Sequence, residues 1–329
     1  MMEKAKNKVL LVAVGGIGFR HFQALLTCKS DFELHVVDVS IAAIERAKEY
    51  AEGQTHDKII YYHASVSELE ETSLFQLAII ATSSLQRREV FEEITARCIV
   101  QTLIFEKVLF PSIDDYEKVE RLLKEKHITA YVNCTRRVQP VYKSLHEELL
   151  HAKSLCAHVK GSNWGLACNS IHMIDLFAYL ISANLERVSC NGSLLEKKIF
   201  NSKRKGYIEF YGKMTGSIGD NISYLIECDH GEAELVIELT TESDHYSINE
   251  SDGVMIKRHL HGGKPIEQHF EFLLVSQVTA YVADKLLQGK PVGLVSYEDS
   301  AKLHLPILRE LLKTQNEILK SESTVCPIT

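Results

Sequence analysis

Strand-like and helical patterns alternate over the first 133 positions of this 329-residue chain. The strand-like runs are KVLLVAV (8–14), ELHVVDV (33–39), KIIYYHA (58–64), LAIIAT (77–82), VQTLIFEKV (100–108) and TAYVN (129–133). The helical patterns are HFQALLTC (21–28), IAAIERAKEYA (41–51), RREVFEEITARC (87–98) and DDYEKVERLLKEK (114–126). Strands that are apolar throughout are typical of a parallel sheet covered by helices on both faces. The pattern therefore predicts an α/β fold that begins with a doubly wound parallel sheet.

The pattern changes after residue 185, where strand-like runs follow one another with short polar turns. These runs are GYIEFYGKMTGSI (206–218), NISYLIECD (221–229), GEAELVIELTT (231–241) and YSINESDGVMIKRHL (246–260). Such spacing indicates hairpins and a large, mostly antiparallel open sheet. Helical patterns lie near 138–152, 272–288 and 297–319. A chain of this length favours two domains, which we place at residues 1–134 and 135–329.

Composition and charge exclude some classes of function. Hydrophobic residues make up 45% and charged residues 25%, and 37 Lys and Arg against 44 Asp and Glu leave a net charge of −7. No basic excess exists to neutralise phosphates, so we expect no nucleic-acid partner. No apolar run approaches the roughly 20 residues that span a bilayer, so we expect no membrane partner. The start, MMEKAKNKVLLVAVGG, reads as a strand because Gly-rich sequence follows it instead of a cleavage site.

The cysteines and histidines indicate no metal. None of the eight cysteines forms a CxxC pair, and no Cys/His cluster has zinc spacing. His259 and His261 share one strand face, which favours a solvated edge over a two-ligand metal site. Unpaired thiols indicate a reducing compartment, and we expect the cytoplasm.

A glycine turn lies where the first predicted strand meets the first helix. Gly15, Gly16, Ile17 and Gly18 occupy it, although Ala13 stands at the first glycine position of a G-x-G-x-x-G pattern. Backbone N–H groups at such a helix N-terminus can face a pyrophosphate, and glycines let it approach. The turn predicts dinucleotide binding.

Asp38 strengthens that prediction. It lies at the end of the second predicted strand, 23 residues after Gly15, where a carboxylate accepts hydrogen bonds from a ribose 2′-OH. A 2′-phosphate would be repelled there, and no Arg follows at once, so NAD(H) is favoured over NADP(H). The alternative is that Asp38 or Ser40 simply caps the helix at 41–51.

Two further strand ends carry small or charged residues. Ala81, Thr82 and Ser83 follow one strand, and cofactor contact or a plain helix cap accounts for them equally well. Glu106 and Lys107 form a charged pair in an apolar run, which is costly to bury without purpose. At a strand end, Lys107 would point into the ligand crevice.

The ordered set of motifs resembles the Gfo/Idh/MocA family of glucose–fructose oxidoreductase and inositol dehydrogenase relatives. The matching pieces are G-G-I-G-x-x-H at 15–21, Asp38, A-T-S-S at 81–84, E-K at 106–107 and H-x-x-D at 172–175. The resemblance implies a Rossmann domain, an α/β domain whose open sheet often mediates oligomerisation, and hydride transfer between a nicotinamide cofactor and a carbohydrate-like hydroxyl. Cys168, Val108 and Arg87 depart from the family pattern, which usually has Asp, Pro and His at these positions.

The stretch GSNWGLACNSIHMID (161–175) contains the only tryptophan. We expect Asn169 to cap a helix over 170–182, with Cys168, His172, Asp175 and Tyr179 on one stripe. From the helix alone, a buried core histidine is the slightly favoured interpretation of His172, whereas the resemblance implies the catalytic histidine there. Trp164 is a candidate wall for a sugar, with packing as the alternative.

The remaining candidates surround the substrate. Asn169 is a candidate substrate contact, and we expect Asp175 either to orient the imidazole of His172 or to be purely structural. Arg136 and Arg137 bind a phosphate or carboxylate, or form a solvated pair at the domain junction. His304 either reaches the site from a C-terminal helix or lies at the surface, which we expect.

The sequence thus predicts an NAD(H)-dependent sugar oxidoreductase. His172 would act as acid/base and Lys107 would stabilise the developing alkoxide, both at the crevice where nicotinamide meets substrate. The variant motif N-W-G-x-x-C-N-x-I-H-x-I-D resembles a subgroup linked to bacterial surface-glycan sugar pathways. The alternatives are a dinucleotide-dependent sensor without turnover and NAD-dependent glycoside cleavage.

A homodimer or homotetramer is also expected. Its contact would be an apolar open sheet face with the residues Tyr207, Phe210, Tyr224, Leu225 and Ile237.

Overall fold

The computed structural model describes residues 6–329, which form two compact units. The first unit comprises the chain up to Phe110, Asp115–Thr135 and Leu273–Tyr297. The second comprises Pro111–Asp114, Arg136–Phe272 and Glu298–Thr329. The segment Leu273–Tyr297, which falls in the predicted second domain (135–329), belongs to the first unit.

Strands and helices alternate up to residue 132. The elements are β1 (Asn7–Val12), α1 (Gly16–Leu26), β2 (Phe32–Val37), α2 (Ile41–Glu52), β3 (Ile59–His63), β4 (Leu74–Ile80), α3 (Ser84–Arg97), β5 (Ile99–Phe105), α4 (Ile113–Glu125) and β6 (Thr129–Val132). Short 3-10 turns lie at Val66–Glu68 and Thr135–Val138.

Strands dominate the middle of the chain, and helices return near its end. The elements are α5 (Pro140–Leu149), β7 (Leu155–Lys160), α6 (Leu166–Leu180), β8 (Val188–Leu195), β9 (Phe200–Asn201), β10 (Ile208–Glu209), β11 (Gly212–Ile218), β12 (Ile222–Cys228), β13 (Val236–Thr240), β14 (Asp244–Asn249), β15 (Val254–His259), β16 (Ile266–His269), α7 (Val275–Leu287), β17 (Val295–Ser296) and α8 (Tyr297–Leu319). Among the described residues, no helix has the length and apolar character needed to cross a membrane.

The first unit is built on a seven-stranded sheet with the order β17-β6-β5-β4-β1-β2-β3. All pairings are parallel except that of β17 with β6. Val9, Leu10 and Leu11 of the central strand have no exposed surface, as expected for a strand covered on both faces. The predicted doubly wound sheet is confirmed. Because β17 pairs with β6 and α7 packs on α1, the segment from Leu273 belongs to this unit.

The second unit contains an eight-stranded sheet with the order β16-β15-β14-β13-β7-β12-β11-β8. Only β7 and β12 pair in parallel, so the predicted mostly antiparallel sheet is confirmed. Helix α6 packs on β7 and β12.

The open face of this sheet is polar, not apolar. It carries cross-strand pairs of His158 with Glu227 (Nε2–Oε2 2.6 Å) and of Lys213 with Glu227 (Nζ–Oε1 2.6 Å). The expectation of an exposed apolar patch is wrong, because only Leu225 of its five residues is half-buried. The other four are buried: Tyr207, Phe210, Tyr224 and Ile237. On β12, strict alternation places Tyr224 with Ile222 and Ile226 on the buried face.

Candidate functional site

The glycine turn joins β1 to α1, and its glycines differ in what surrounds them. A Cβ on Gly15 or Gly16 would meet no other atom within 4 Å. A Cβ on Gly18 would lie 1.9 Å from the Ala13 carbonyl oxygen. Gly18 is therefore required for the close packing of α1 on the turn, whereas Gly15 and Gly16 leave open space at the helix N-terminus.

Ala13 adopts a conformation that favours glycine. Its φ is +71°, in the left-handed region, and its N–H donates to the Val37 carbonyl over 2.8 Å. This residue stands where a G-x-G-x-x-G pattern has its first glycine. The backbone here therefore has the left-handed conformation that suits the first glycine of the pattern, even though the residue is alanine.

Asp38 ties the end of β2 to the glycine turn. Its Oδ2 accepts a hydrogen bond from the Val14 N–H (2.7 Å), and its Oδ1 accepts one from the Ser40 N–H (2.8 Å). The cap of α2 is Ser40, whose hydroxyl accepts from the Ala43 N–H. Each oxygen of the Asp38 carboxylate has a further lone pair for another donor.

Arg46 also lies at the glycine turn, although it is not among the residues that the sequence motifs predict for the site. Its Nη2 donates to the carbonyls of Val14 (2.6 Å) and Gly15 (3.0 Å), and its guanidinium lies 4.3 Å from the centre of the Phe19 ring. Its position on α2, two turns after Asp38, is the signal that would have found it.

The segment after β4 combines a cap with an unsatisfied hydroxyl. Ser83 is the N-cap residue of α3. The buried Thr82 hydroxyl has no hydrogen-bond partner among residues 6–329, although buried polar groups are normally paired. The Ala81 N–H donates to Val12 at the end of β1 (2.9 Å).

Glu106 follows β5 and belongs to a buried polar network. Its Oε1 accepts from Asn133 Nδ2 (2.5 Å) and lies 2.8 Å from His21 Nε2, and His21 Nδ1 lies 2.9 Å from the Thr279 hydroxyl. Burial alone would raise the pKa of Glu106, but the hydrogen bonds from His21 and Asn133 lower it below its ordinary value. The carboxylate beside Lys107 is therefore held ionised.

Lys107 itself is half-buried, and the peptide bond that joins it to Val108 is cis. It lies one residue beyond Glu106, whose N–H makes a main-chain bond to the Ile80 carbonyl (3.1 Å). Val12, Ile80 and Phe105 are in register across β1, β4 and β5. The glycine turn, the Ala81–Ser83 segment and Glu106–Lys107 therefore follow the same edge of one parallel sheet.

Helix α6 begins one turn earlier than predicted. Gly165, with φ +79°, is its N-cap residue, and Leu166 is its first residue. The expectation that Asn169 caps the helix is wrong, because left-handed Gly165 already ends the preceding loop. Asn169 Nδ2 instead donates to the Trp164 carbonyl (2.6 Å), and Trp164 Nε1 donates to the Glu227 carbonyl (2.8 Å).

Glu209 supplies a carboxylate to the start of α6, and nothing in the sequence pattern pointed to it. Its Oε1 accepts from the N–H groups of Ala167 (2.5 Å) and Phe210 (3.0 Å). Burial raises the pKa of Glu209, and those backbone hydrogen bonds oppose the rise. A Cβ on Gly165 would lie 2.9 Å from Cys168 Sγ and 3.2 Å from Glu209 Oε2, so the polar groups pack closely around this glycine.

His172 and Asp175 lie one turn apart on α6, as predicted, with His172 half-buried and Asp175 fully buried. Arg137 grips the Asp175 carboxylate with two hydrogen bonds (Nη2–Oδ1 2.7 Å, Nε–Oδ2 2.9 Å). Burial raises the pKa of Asp175, and Arg137 opposes the rise.

Arg136 makes an equivalent fork to Glu250 (2.7 and 2.8 Å). The side chains of Arg136 and Arg137 are each 15% exposed, so they do not form a solvated pair. Both guanidinium groups bind carboxylates of their own unit.

Two other histidines complete the description. His304 is 2% exposed and its Nδ1 donates to the Ser300 carbonyl (2.8 Å), so the expectation of a surface histidine is wrong. His259 pairs with Asp244 (Nδ1–Oδ1 2.5 Å). Within residues 6–329, no three His, Cys, Asp or Glu side chains are grouped to hold a metal ion.

Comparisons with known proteins identify the fold. No family model matches this sequence, and no curated protein matches it. An oxidoreductase from Agrobacterium radiobacter, solved in complex with NAD+, L-tartaric acid and magnesium, has 13% identity and a TM-score of 0.69 over 92% of this chain and 94% of its own. The UDP-N-acetylglucosamine 3-dehydrogenase from Acidithiobacillus ferrooxidans has 13% identity and a TM-score of 0.67 over 93% and 97%.

A protein described as a regulator has the same fold. The transcriptional regulator Gal80p from Kluyveromyces lactis has 14% identity and a TM-score of 0.69 over 95% of this chain and 93% of its own. At such low identity these likenesses show a shared fold alone, and the fold is one that both oxidoreductases and a transcriptional regulator adopt.

Proposed function

We propose that this protein is an NAD(H)-dependent oxidoreductase that transfers hydride between nicotinamide and a hydroxyl group of a sugar or sugar derivative. The observation that carries the proposal is the glycine turn, where the N-terminus of α1 has open space beside Gly15 and Gly16 and the Asp38 carboxylate is bonded to Val14. A pyrophosphate fits the former and a ribose diol fits the latter.

Other features of the first unit fit the same cofactor. The unsatisfied Thr82 hydroxyl follows a neighbouring strand and offers a hydrogen bond to a bound group. Ile17, Ala81, Ser83, Glu106 and Lys107 complete the proposed cofactor contacts. The Asp38 carboxylate favours NAD(H), because a 2′-phosphate would bring a second negative charge beside it. When bound, the nicotinamide supplies the carbon that accepts or donates hydride.

The chain's own residues would handle the proton. We assign His172 as the acid/base for the substrate hydroxyl, since imidazole titrates near neutral pH. We assign Lys107 to stabilise the negative charge that develops on the oxygen. Trp164 and Asn169 are proposed substrate contacts.

The ion pair between Arg137 and Asp175 limits the substrate roles that we propose for these two residues. Arg137 already binds a carboxylate, so Asp175 would orient α6 side chains through that pair, and Arg137 would reach substrate only with its remaining donors. A role for Arg137 in substrate binding therefore requires that the substrate found in the screen carries a phosphate or carboxylate.

The substrate class draws on two of the structural neighbours. One was solved with NAD+ and a hydroxy acid, and another is described as acting on a nucleotide sugar. These descriptions favour a polyhydroxylated substrate and are compatible with surface-glycan sugar metabolism. We keep the cytoplasm as the compartment and a homodimer or homotetramer as the assembly.

Calorimetric titration with NADH and NADPH tests the cofactor assignment. We expect tighter binding of NADH, and Gly16→Ala should weaken it by tenfold or more, about 1.4 kcal/mol, because the new Cβ occupies the space beside the helix N-terminus. The same variant should melt at the wild-type temperature, since its Cβ meets no protein atom. Equal or reversed preference would remove Asp38 from its role.

A screen of sugars, sugar acids and nucleotide sugars, followed by NADH absorbance, tests turnover. Lys107→Ala and His172→Ala should each lower kcat by about 10²–10⁴-fold while NADH affinity changes by less than about tenfold. The fold shared with a regulator supports a second candidate, a dinucleotide-dependent sensor. NADH binding without oxidation of any compound in the screen would favour the sensor, and full activity of His172→Ala would make that residue a core histidine.

A further inference from the structure

Arg87 is a charged side chain in the interior of the first unit. It lies in the first turn of α3, is 1% exposed, and is among the largest fully buried side chains of the chain. Removing a guanidinium from water costs several kcal/mol unless hydrogen bonds replace its hydration. A buried cation at a position where an apolar residue would pack therefore needs a reason in its contacts.

Its hydrogen bonds join two separate segments of backbone. Nη1 donates to the carbonyls of Val108 and Leu109, the latter over 2.9 Å, and Nη2 donates to the Thr82 carbonyl. Thr82 belongs to the segment after β4, and Val108 and Leu109 directly follow Lys107. One side chain thus connects the segments that leave two neighbouring parallel strands.

The sheet itself does not hold these segments together at that point. The pairing of β4 with β5 ends at Ile80 and Phe105, and the Glu106 N–H makes the next main-chain bond, to Ile80. Lys107 lies one residue further on, beyond the ladder. The planar guanidinium has five donors on three nitrogens in a fixed fork, so it can bridge carbonyls that lie farther apart than those within reach of the single nitrogen of an ammonium group.

We infer that Arg87 is a positioning residue for Lys107, which it serves by clamping the backbone of Val108 and Leu109 to Thr82. The inference rests on the proposed role of Lys107 in the reaction. A misplacement of a reacting group by about 1 Å can cost on the order of 10² in rate, so loosening a clamp directly beside the lysine should lower activity.

A double-mutant cycle on kcat tests the inference. Arg87→Lys keeps the charge but loses the fork, and we expect kcat to fall tenfold or more. In a Lys107→Ala background the same change should cost less than about twofold, because the group that Arg87 positions is already gone. A merely structural role would give equal losses in both backgrounds, and that result would overturn the inference.

Arg88→Lys is the matched control. Arg88 is the next residue on the same helix, and its side chain is 24% exposed and paired with Glu92 and Asp115. We expect wild-type kcat for this variant, and an equal loss in it would count against a specific role for Arg87. If Arg87→Lys does not fold, Arg87→Gln, which removes the buried charge and keeps an amide donor, enters the same cycle.

A measurement without turnover separates this inference from the proposed function. The measurement is the pH profile of Lys107 acetylation by limiting acetic anhydride, followed by mass spectrometry. We expect this profile to differ between Arg87→Lys and the wild type, with exposed Lys118 on α4 as the internal reference. If the wild type oxidises no substrate but the Lys107 profile changes, the oxidoreductase proposal fails and the clamp stands. If the profile is unchanged, the clamp fails whatever the activity.

Discussion

Replacing Ala13 with glycine should make the first unit more stable. The φ of +71° at Ala13 costs an L-residue with a Cβ about 1–2 kcal/mol relative to glycine. The backbone cannot relax this cost, because the Ala13 N–H is bonded to Val37 and the Ala13 carbonyl faces Gly18. Glycine also has more conformational freedom in the unfolded chain, which reduces this gain in stability by about 0.5–1 kcal/mol.

The expected net gain in the free energy of unfolding is therefore about 0.5–1 kcal/mol, or an increase of roughly 1–4 °C in Tm. Hydrogen exchange of peptides that cover β1 and α1 measures it directly. This probe is preferable to tryptophan fluorescence, because the only tryptophan, Trp164, lies in the other unit and two units need not unfold together.

Ala96→Gly is the matched control for that experiment. Ala96 is exposed on α3, where glycine lowers helix propensity, and we expect a loss of about 0.5–1 kcal/mol. The same chemical change should thus have opposite signs at the two positions. If Ala13→Gly leaves protection unchanged or lowers it while Ala96→Gly behaves as expected, the left-handed conformation of Ala13 is not a source of strain.

Three further predictions concern stability. Gly18→Ala should cost about 3 kcal/mol or more, because its Cβ would overlap the Ala13 carbonyl, and a thermal melt beside that of Gly16→Ala checks it. Arg137→Met should cost about 3–5 kcal/mol, and more at pH 7 than at pH 5. Burial raises the pKa of Asp175 and Arg137 opposes the rise, so without Arg137 the pKa is higher still, and the variant loses more stability than the wild type as pH rises through it. Urea unfolding followed by Trp164 fluorescence at both pH values measures this, and an equal cost at both would contradict it. Glu106→Gln should make the stability of the first unit fall less steeply as the pH is lowered. The pKa of Glu106 is lower in the folded state than in the unfolded state, so its carboxylate contributes stability above the unfolded pKa that is lost as pH falls through the folded pKa. Hydrogen exchange near pH 4 would show the difference.

The parallel sheet could be predicted because its strands are apolar on both sides. β1 and β4 read as strands from their own residues, and the glycine turn and Asp38 follow from where those strands end. β7 was missed because its exposed positions are polar and its partners β12 and β13 lie more than 60 residues further along the chain. Pairing over that distance leaves no local signal.

Partners of buried charges were likewise beyond the sequence. The charged pair Glu106–Lys107 was recognised as costly, but His21 and Asn133, which stabilise the Glu106 carboxylate, come from elements far apart in the sequence. From the sequence, Arg87 is only a departure from a family pattern. Its bonds to backbone carbonyls depend on where two strands end in space, which residue type and spacing do not reveal.

The return of α7 and β17 to the first unit has a consequence for synthesis on the ribosome. The nascent chain can form β1 to β6 early, but His21 obtains its Thr279 partner, and β6 its neighbour β17, only after more than 130 further residues have emerged. The first unit therefore stays incompletely packed while the second unit, which is inserted within it, is translated. At about 5–20 residues per second this interval lasts roughly 7–30 s, during which the uncovered surfaces of α1 and β6 are open to chaperones.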